Sequence, residues 1–271
     1  MSGPVRLWFQ KHTVAGRMPL LDEAYERHFE AVADGDTDIH VATLPAEAYE
    51  SSLPEGVVRY GAAEVFFSWH FAAQAVVAEQ AGYDAYVIGT SQDPGLLEAR
   101  SVATVPVLGY GETAFFTCAS MGLKFGVVGF IPELAEPITE NVERYGLGKW
   151  LAGFEYPEAA ADMVRDALSG RPAAFLAAYE QACERMVRRG AQVIVPGEGL
   201  PNEILVAAGI RHVAGVPFLD ADGLVVKAAE QAVRLRRLGV VPTPELGYRH
   251  RPLPVAERSR LFSVFAPRSC Q

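Results

Sequence analysis

Two apolar runs in this 271-residue chain stop in small and polar residues, as buried parallel strands do where they end at a ligand crevice. The first is Tyr86-Val87-Ile88-Gly89, followed by Thr90-Ser91-Gln92-Asp93-Pro94-Gly95. The second is Val193-Ile194-Val195-Pro196, followed by Gly197-Glu198-Gly199-Leu200. Glu198 is the residue in these segments best suited to move a proton. A carboxyl in a cleft near a helix start works as general base or acid once partly desolvated; a helix-capping or solvated Glu is the plainer reading. Gly197 and Gly199 on either side would allow backbone and ligand to approach closely. Thr90 and Ser91 precede a Pro-started helix, so their hydroxyls and amides could bind an oxyanion or carboxylate, with Gln92 adding an amide contact. An ordinary N-cap, with Asp93 doing the capping, accounts for the same residues.

Further candidates lie outside these two segments. His12, read as lying in the loop after the first strand, is either a second acid–base group opposite Glu198 or a surface histidine. Tyr110 offers a phenol to a substrate oxygen. Glu112 either ties Gly-rich turns or lines the cleft. His70, beside Phe66, Phe67 and Trp69, is read as packing, and Asp220 as a helix N-cap. Cys118, Cys183 and Cys270 are widely spaced, which suits a reducing cytoplasm better than a disulfide frame. The first two fall in helix-like stretches as small buried hydrophobes, and Cys270 near the C-terminus is expected to be exposed. No metal-ligand spacing, phosphate loop, dinucleotide fingerprint or serine elbow is present, so neither metal nor cofactor is expected.

Strand-like and helix-like segments alternate along the whole chain, the pattern of an α/β protein with parallel sheets. The strand candidates are Val5–Phe9, Ile39–Thr43, Ala85–Gly89 and Val105–Leu108, then Phe125–Gly129, Leu151–Phe154, Gln192–Val195 and Val216–Leu219. In each half a long helix passes through a Gly into an apolar strand, and a Val-Pro strand follows. That matched order suggests an internal repeat of two Rossmann-like units facing one cleft, with strand C-terminal ends around the site. The Pro- and Arg-rich tail from Pro242 onward is read as a surface wrap or an oligomer contact.

Half of the residues are apolar and 21% charged, enough for a substantial core in one or two domains. The net charge is −9 and no long basic run occurs, which argues against nucleic acid and against an anionic membrane surface. No apolar stretch approaches the length of a signal core or a membrane span, so a cytoplasmic protein is expected.

Four stretches together resemble the aspartate/glutamate/hydantoin racemase superfamily, and within it the hydantoin and allantoin racemases. They are Val87–Arg100, with its Asp93-Pro94-Gly95-Leu96; Val105-Pro106-Val107-Leu108-Gly109-Tyr110-Gly111-Glu112; Val193–Leu200; and Val216-Pro217-Phe218-Leu219-Asp220 with Lys227. Phe9-Gln10-Lys11-His12-Thr13 stands, more loosely, where the family has an Asn-Pro-Asn-Thr turn. The resemblance implies two similar α/β domains with the site between them. One would comprise residues 1–113 plus 220–271, the other residues 114–219. It also implies that the loop carrying Thr90 and Ser91 cradles a substrate carboxylate or carbonyl. The family's racemases work with two facing thiols, one removing and one returning a proton α to a carbonyl. By the Asp-Pro-Gly register Thr90 stands at the first cysteine position, and by the Gly-x-Gly register Gly197 stands at the second. A two-thiol reaction is therefore not expected.

Three functions remain open on these residues. The first is a cofactor-independent enzyme acting beside a carbonyl or carboxylate of a small metabolite, an isomerase or one diverged to a lyase or hydrolase. In it Glu198, with His12, moves protons and Thr90 and Ser91 hold an oxyanion. The second is a non-catalytic small-carboxylate binding protein. The third is a racemase with an unconventional Glu198–His12 base pair. The expected ligand is a small carboxylate or cyclic amide, and the expected assembly a homo-oligomer.

Overall fold

The structure is a computed structural model that describes residues 3–51, 53–158, 160–241, 247–248, 250–251 and 253–265. Cys270 and much of the tail, including Pro242, lie outside the described residues.

The first half runs β1 (Val5–Val14), α1 (Pro19–Val32), β2 (Thr37–Leu44), a short α2 (Glu55–Val58), α3 (Gly61–Gln80), β3 (Ala85–Gly89), α4 (Leu96–Val102) and β4 (Val107–Gly109). The chain continues through α5 (Tyr110–Ser120), β5 (Phe125–Val128), α6 (Ala135–Arg144), β6 (Leu151–Glu155), α7 (Ala160–Ala167), α8 (Ala173–Arg188), β7 (Val193–Pro196) and α9 (Gly199–Ala207). It closes with β8 (His212–Val213), β9 (Val216–Pro217), α10 (Ala221–Arg237) and α11 (Val255–Phe265).

Two parallel sheets result, with strand orders β2-β1-β3-β4 and β6-β5-β7. The fourth position of the second sheet is only started: Ile194 and Phe218 form a parallel bridge, while Val216–Pro217 turns back to pair antiparallel with His212–Val213. The inner strands β3 and β7 are buried along their whole length. That is why they read as unbroken apolar runs rather than alternating ones. Helix α10 returns from the end of the second half to pack on β1, β3 and α5. Its N-terminus is capped by Asp220, whose carboxylate accepts the amide of Gly223 at 3.0 Å.

Strand β1 continues well past its expected end at Phe9. Gln10, Lys11, His12 and Thr13 are all buried, and the register to β2 shifts between Gln10 and Val14. His12 is thus a buried strand residue and not a loop histidine. The reason is tertiary: the polar tip of β1 runs on beneath Tyr49 and Phe67, which cover it. The short α2 and the terminal α11 were not legible as periodic segments. The 20-residue α3 presents Val65 and Phe66 to solvent, so its apolar residues do not mark one buried face.

Candidate active site

The ends of β1, β3 and β7 meet at a small cavity of about 30 Å³, room for about two waters. Its walls include Lys11, His12 and Thr13 from β1, Gly89, Thr90 and Gln92 from the β3 end, and Glu198, Gly199 and Leu200 from the β7 end. Phe130 and Ile131, after β5, line the side; Pro54, Val58 and Leu134 close the top. Ion pairs from Arg165 to Glu55 and from Arg59 to Glu133 (3.7 Å) tie the α2 cover to the second half. Outside that cover lies a larger hollow of about 300 Å³ that shares Val58, Gln92 and Leu134 with the cavity. Its wall carries Glu64, Glu133, Glu136 and Glu140 against one arginine, Arg59.

Glu198 is the N-cap residue of α9, yet its carboxyl does not cap that helix. It reaches across to the β5 end, where the amides of Phe130 and Ile131 donate to its two oxygens at 2.9 and 3.2 Å. The side chain is 6% exposed, and burial raises its pKa to about 8 against the opposing pull of those two amides. A pair of glycines makes the reach possible. A Cβ on Gly129 would lie 2.7 Å from the Glu198 carboxylate, and one on Gly197 would lie 2.7 Å from the Gly129 Cα. No side chain fits at Gly197, which packs on backbone and does not line the cavity. The side chain delivered there from the β7 end belongs to Glu198.

Thr90 faces the same cavity from the β3 end. Its hydroxyl donates to Gln92 Oε1 at 2.7 Å, and the Gln92 carbonyl accepts from Asn141 at 2.7 Å. Helix α4 begins only at Leu96, beyond a left-handed Gly95, so its N-terminus does not sit directly on Thr90. Ser91 turns away and donates across the halves to the Gly197 carbonyl. Asp93 caps α5 rather than α4, accepting the amides of Gly111 and Glu112 at 3.0 and 2.7 Å. Burial raises its pKa to about 8.

Tyr110 and Glu112 are not part of the cavity wall. The Tyr110 phenol donates to the Pro196 carbonyl at 3.2 Å, and Glu112 pairs with Arg100 at 2.8 Å. Both hold strand ends in place. Asp220 and Glu203 instead flank His28 at 2.8 and 2.7 Å. Burial alone would lower that imidazole's pKa, but hydrogen bonds to both carboxylates raise it to about 10. Cys118 and Cys183 are packed in the core of α5 and α8, with burial pushing the Cys118 thiol up to about 12, and neither lines the cavity.

The β1 tip supplies partners that the sequence did not flag. Lys11 Nζ pairs with Asp22 at 2.7 Å over the Tyr25 ring, so the lysine in the wall is already neutralised. The Tyr49 phenol hydrogen-bonds His12 Nδ1, while His12 Nε2 and Thr13 Oγ1 are buried with no partner among the described residues. Burial lowers the His12 pKa to about 4, so the ring is neutral at ordinary pH. Tyr49 follows a stretch with no chemical motif, and its only sequence signal is an aromatic between prolines.

A family model described as Asp/Glu/Hydantoin racemase matches residues 23–229. The chain belongs to the Asp/Glu/hydantoin racemase family. Among its relatives, the hydantoin racemase of Pseudomonas sp. (strain NS671) is 31% identical over 159 residues, covering 58% of this chain and 61% of that protein. The hydantoin racemase of Paenarthrobacter aurescens is 26% identical over 214 residues, covering 76% and 86%. The chain thus matches about three fifths of the Pseudomonas relative's length. The fold is that of allantoin racemase from Klebsiella pneumoniae, with a TM-score of 0.65 at 23% identity, covering 92% of this chain and 94% of that one. Membership of this family fits parallel strand ends from two sheets converging on one cavity.

Proposed function

We propose that this cavity removes and returns a proton on a carbon next to a carbonyl in a small, neutral cyclic amide, with Glu198 as the proton carrier. The observation that supports the reading is the Glu198 carboxyl itself. It is buried, held by two amides and poised near pH 8, where it can serve as base and then as acid. Base strength and availability are best balanced when the pKa lies near the working pH. A Thr hydroxyl cannot substitute for a thiolate, so Thr90 is assigned to binding, with Gln92 as its hydrogen-bond partner.

A neutral ligand is favoured over a carboxylate by charge. The one cation in the wall is paired with Asp22, and the outer hollow carries four glutamates. An anion entering there meets repulsion at the mouth and no free cation within. The cyclic ureide type that the relatives' names carry fits these constraints. The α2 cover has to shift to admit it, since the cavity is smaller than such a ring.

The test is solvent-proton exchange. A hydantoin bearing an α-hydrogen is incubated with the protein in deuterated water and followed by NMR, with binding measured in parallel. Deuterium wash-in that Glu198→Gln abolishes, with ligand binding retained, is the expected result. Binding without exchange in the native protein would favour a non-catalytic binding protein and overturn the proposal.

A further inference from the structure

Two residues of the cavity wall, His12 and Thr13, each keep a buried polar atom, Nε2 and Oγ1, that has no partner among the described residues and no use in a scheme built on Glu198 alone. Leaving such atoms unpaired in a folded core is costly, and a bound ligand atom would offset that cost. We propose that Tyr49 fixes the tautomer of His12 so that its Nε2–H and the Thr13 hydroxyl form a neutral donor pair for the ligand's carbonyl oxygen as it takes on enolate charge. This rests on the proton-transfer reading of the same cavity.

The tautomer follows from counting protons. The phenol has one hydrogen and two acceptors near it, His12 Nδ1 in short contact and the His12 carbonyl at 3.5 Å, the outer limit of a hydrogen bond. Burial pushes the Tyr49 phenol far above its ordinary range, so it keeps its proton and acts as donor. The short contact takes that proton, Nδ1 accepts, and the single hydrogen of the neutral ring sits on Nε2.

The ring is held as a preorganised donor needs to be. Phe67 meets it edge-on at 4.3 Å and Phe71 stacks on it at 5.5 Å. The loop that carries Tyr49 is tied by Arg17, which donates to the carbonyls of Ala46, Tyr49 and Ser51. The titratable groups near the imidazole are Tyr49, His70 on α3, Lys11 beside it in the chain and Glu198 in the same cavity wall. None is a carboxylate paired with it, so nothing recharges the ring. A neutral donor suits an enolate because it stabilises the developing charge without giving up its proton. Tyr49 is then a positioning residue, and His12 and Thr13 are the groups that touch the ligand.

The experiment is ¹⁵N NMR of histidine-labelled protein from pH 5 to 8, with His12 assigned by loss of its signals in His12→Gln. The expected spectrum shows His12 with a bare Nδ1 and a protonated Nε2 across that range. Tyr49→Phe, nearly isosteric, is expected to bring in the other tautomer and to lower kcat about tenfold with KM nearly unchanged. Thr13→Val is expected to lower kcat by a similar factor with the tautomer intact. A His12 that carries its proton on Nδ1, or one that titrates near 6.5, overturns the proposal. So does a native tautomer as expected with unchanged kcat in both variants, an outcome that leaves the Glu198 reading standing. Loss of α-proton exchange in the native protein would sink that reading instead, whatever the tautomer.

Discussion

The two strand-end loops that face each other across the cavity occupy equivalent places in their sheets, yet they are built for different work. At the β3 end, each polar side chain of the Thr90–Asp93 loop is committed to a neighbour. Thr90 donates to Gln92, Ser91 crosses to the Gly197 carbonyl, and Asp93 caps α5. At the β7 end a single ionisable group stands between two glycines, and its carboxyl is carried across to the amides of Phe130 and Ile131. One loop uses its polar groups to hold the wall together; the other leaves one buried carboxyl at the cavity, the proposed proton carrier. An internal repeat therefore need not give a symmetric pair of bases.

The largest expected effect tests that division directly. Glu198→Gln keeps the shape and removes the titration, so α-proton exchange should fall by about 10²–10⁴-fold, the usual worth of a general acid–base group. A fall of less than tenfold by NMR exchange rates would move the chemistry to the β3 side.

Next comes pH. A base with its pKa near 8 is active when deprotonated, so kcat/KM should climb with pH and level off above 8. At pH 6 it should stand about 100-fold below the plateau, tenfold per unit. The stability of the folded protein should run the other way. A carboxyl whose folded pKa is raised favours the fold most below its unfolded value near 4.5, and that contribution is lost as pH rises through about 8. Denaturant titrations at several pH values would show Glu198→Gln lacking that decline.

Gly197→Ala probes the close approach that carries the carboxyl across. Its Cβ would meet the Gly129 Cα at 2.7 Å, and such overpacking costs about 1–3 kcal/mol. Unfolding at unchanged stability would show that the two loops are not locked together. Thr90→Val should lower exchange about fivefold, as loss of one neutral hydrogen bond of about 1 kcal/mol implies. The smallest effect is expected from Ser91→Ala, about 0.5–1.5 kcal/mol in stability with the α-proton chemistry intact. A large catalytic loss there would mean that Ser91 binds ligand after all.

Much of the scaffold was legible because burial on both faces leaves a direct mark. Ala85–Gly89 and Val193–Pro196 are apolar throughout, the first ending in Gly89 and the second running into Gly197, and both are inner strands whose ends reach the cavity. Glu198 stood out for the same reason, as a charge at the end of such a run. His12 was misplaced because a polar strand tip looks like a loop until its cover is known. Ser91, Gly197, Tyr110 and Glu112 sat in the right motifs, but their bonds run to backbone or to Arg100, directions that no motif encodes. Tyr49 carried no chemical motif, and Thr13 stood only in a loosely matching stretch that assigned it no role.

What the chain's order of residues determined by itself was the alternation of elements, the pairing of the two halves and the stops where strands deliver their ends. These follow from periodicity and from the local cost of burying or turning backbone. What only the tertiary structure decided was which side chains point inward and in what state of charge. Burial, and partners brought from distant positions such as Phe130 or Tyr49, set those properties, and they exist only once the strand ends have met.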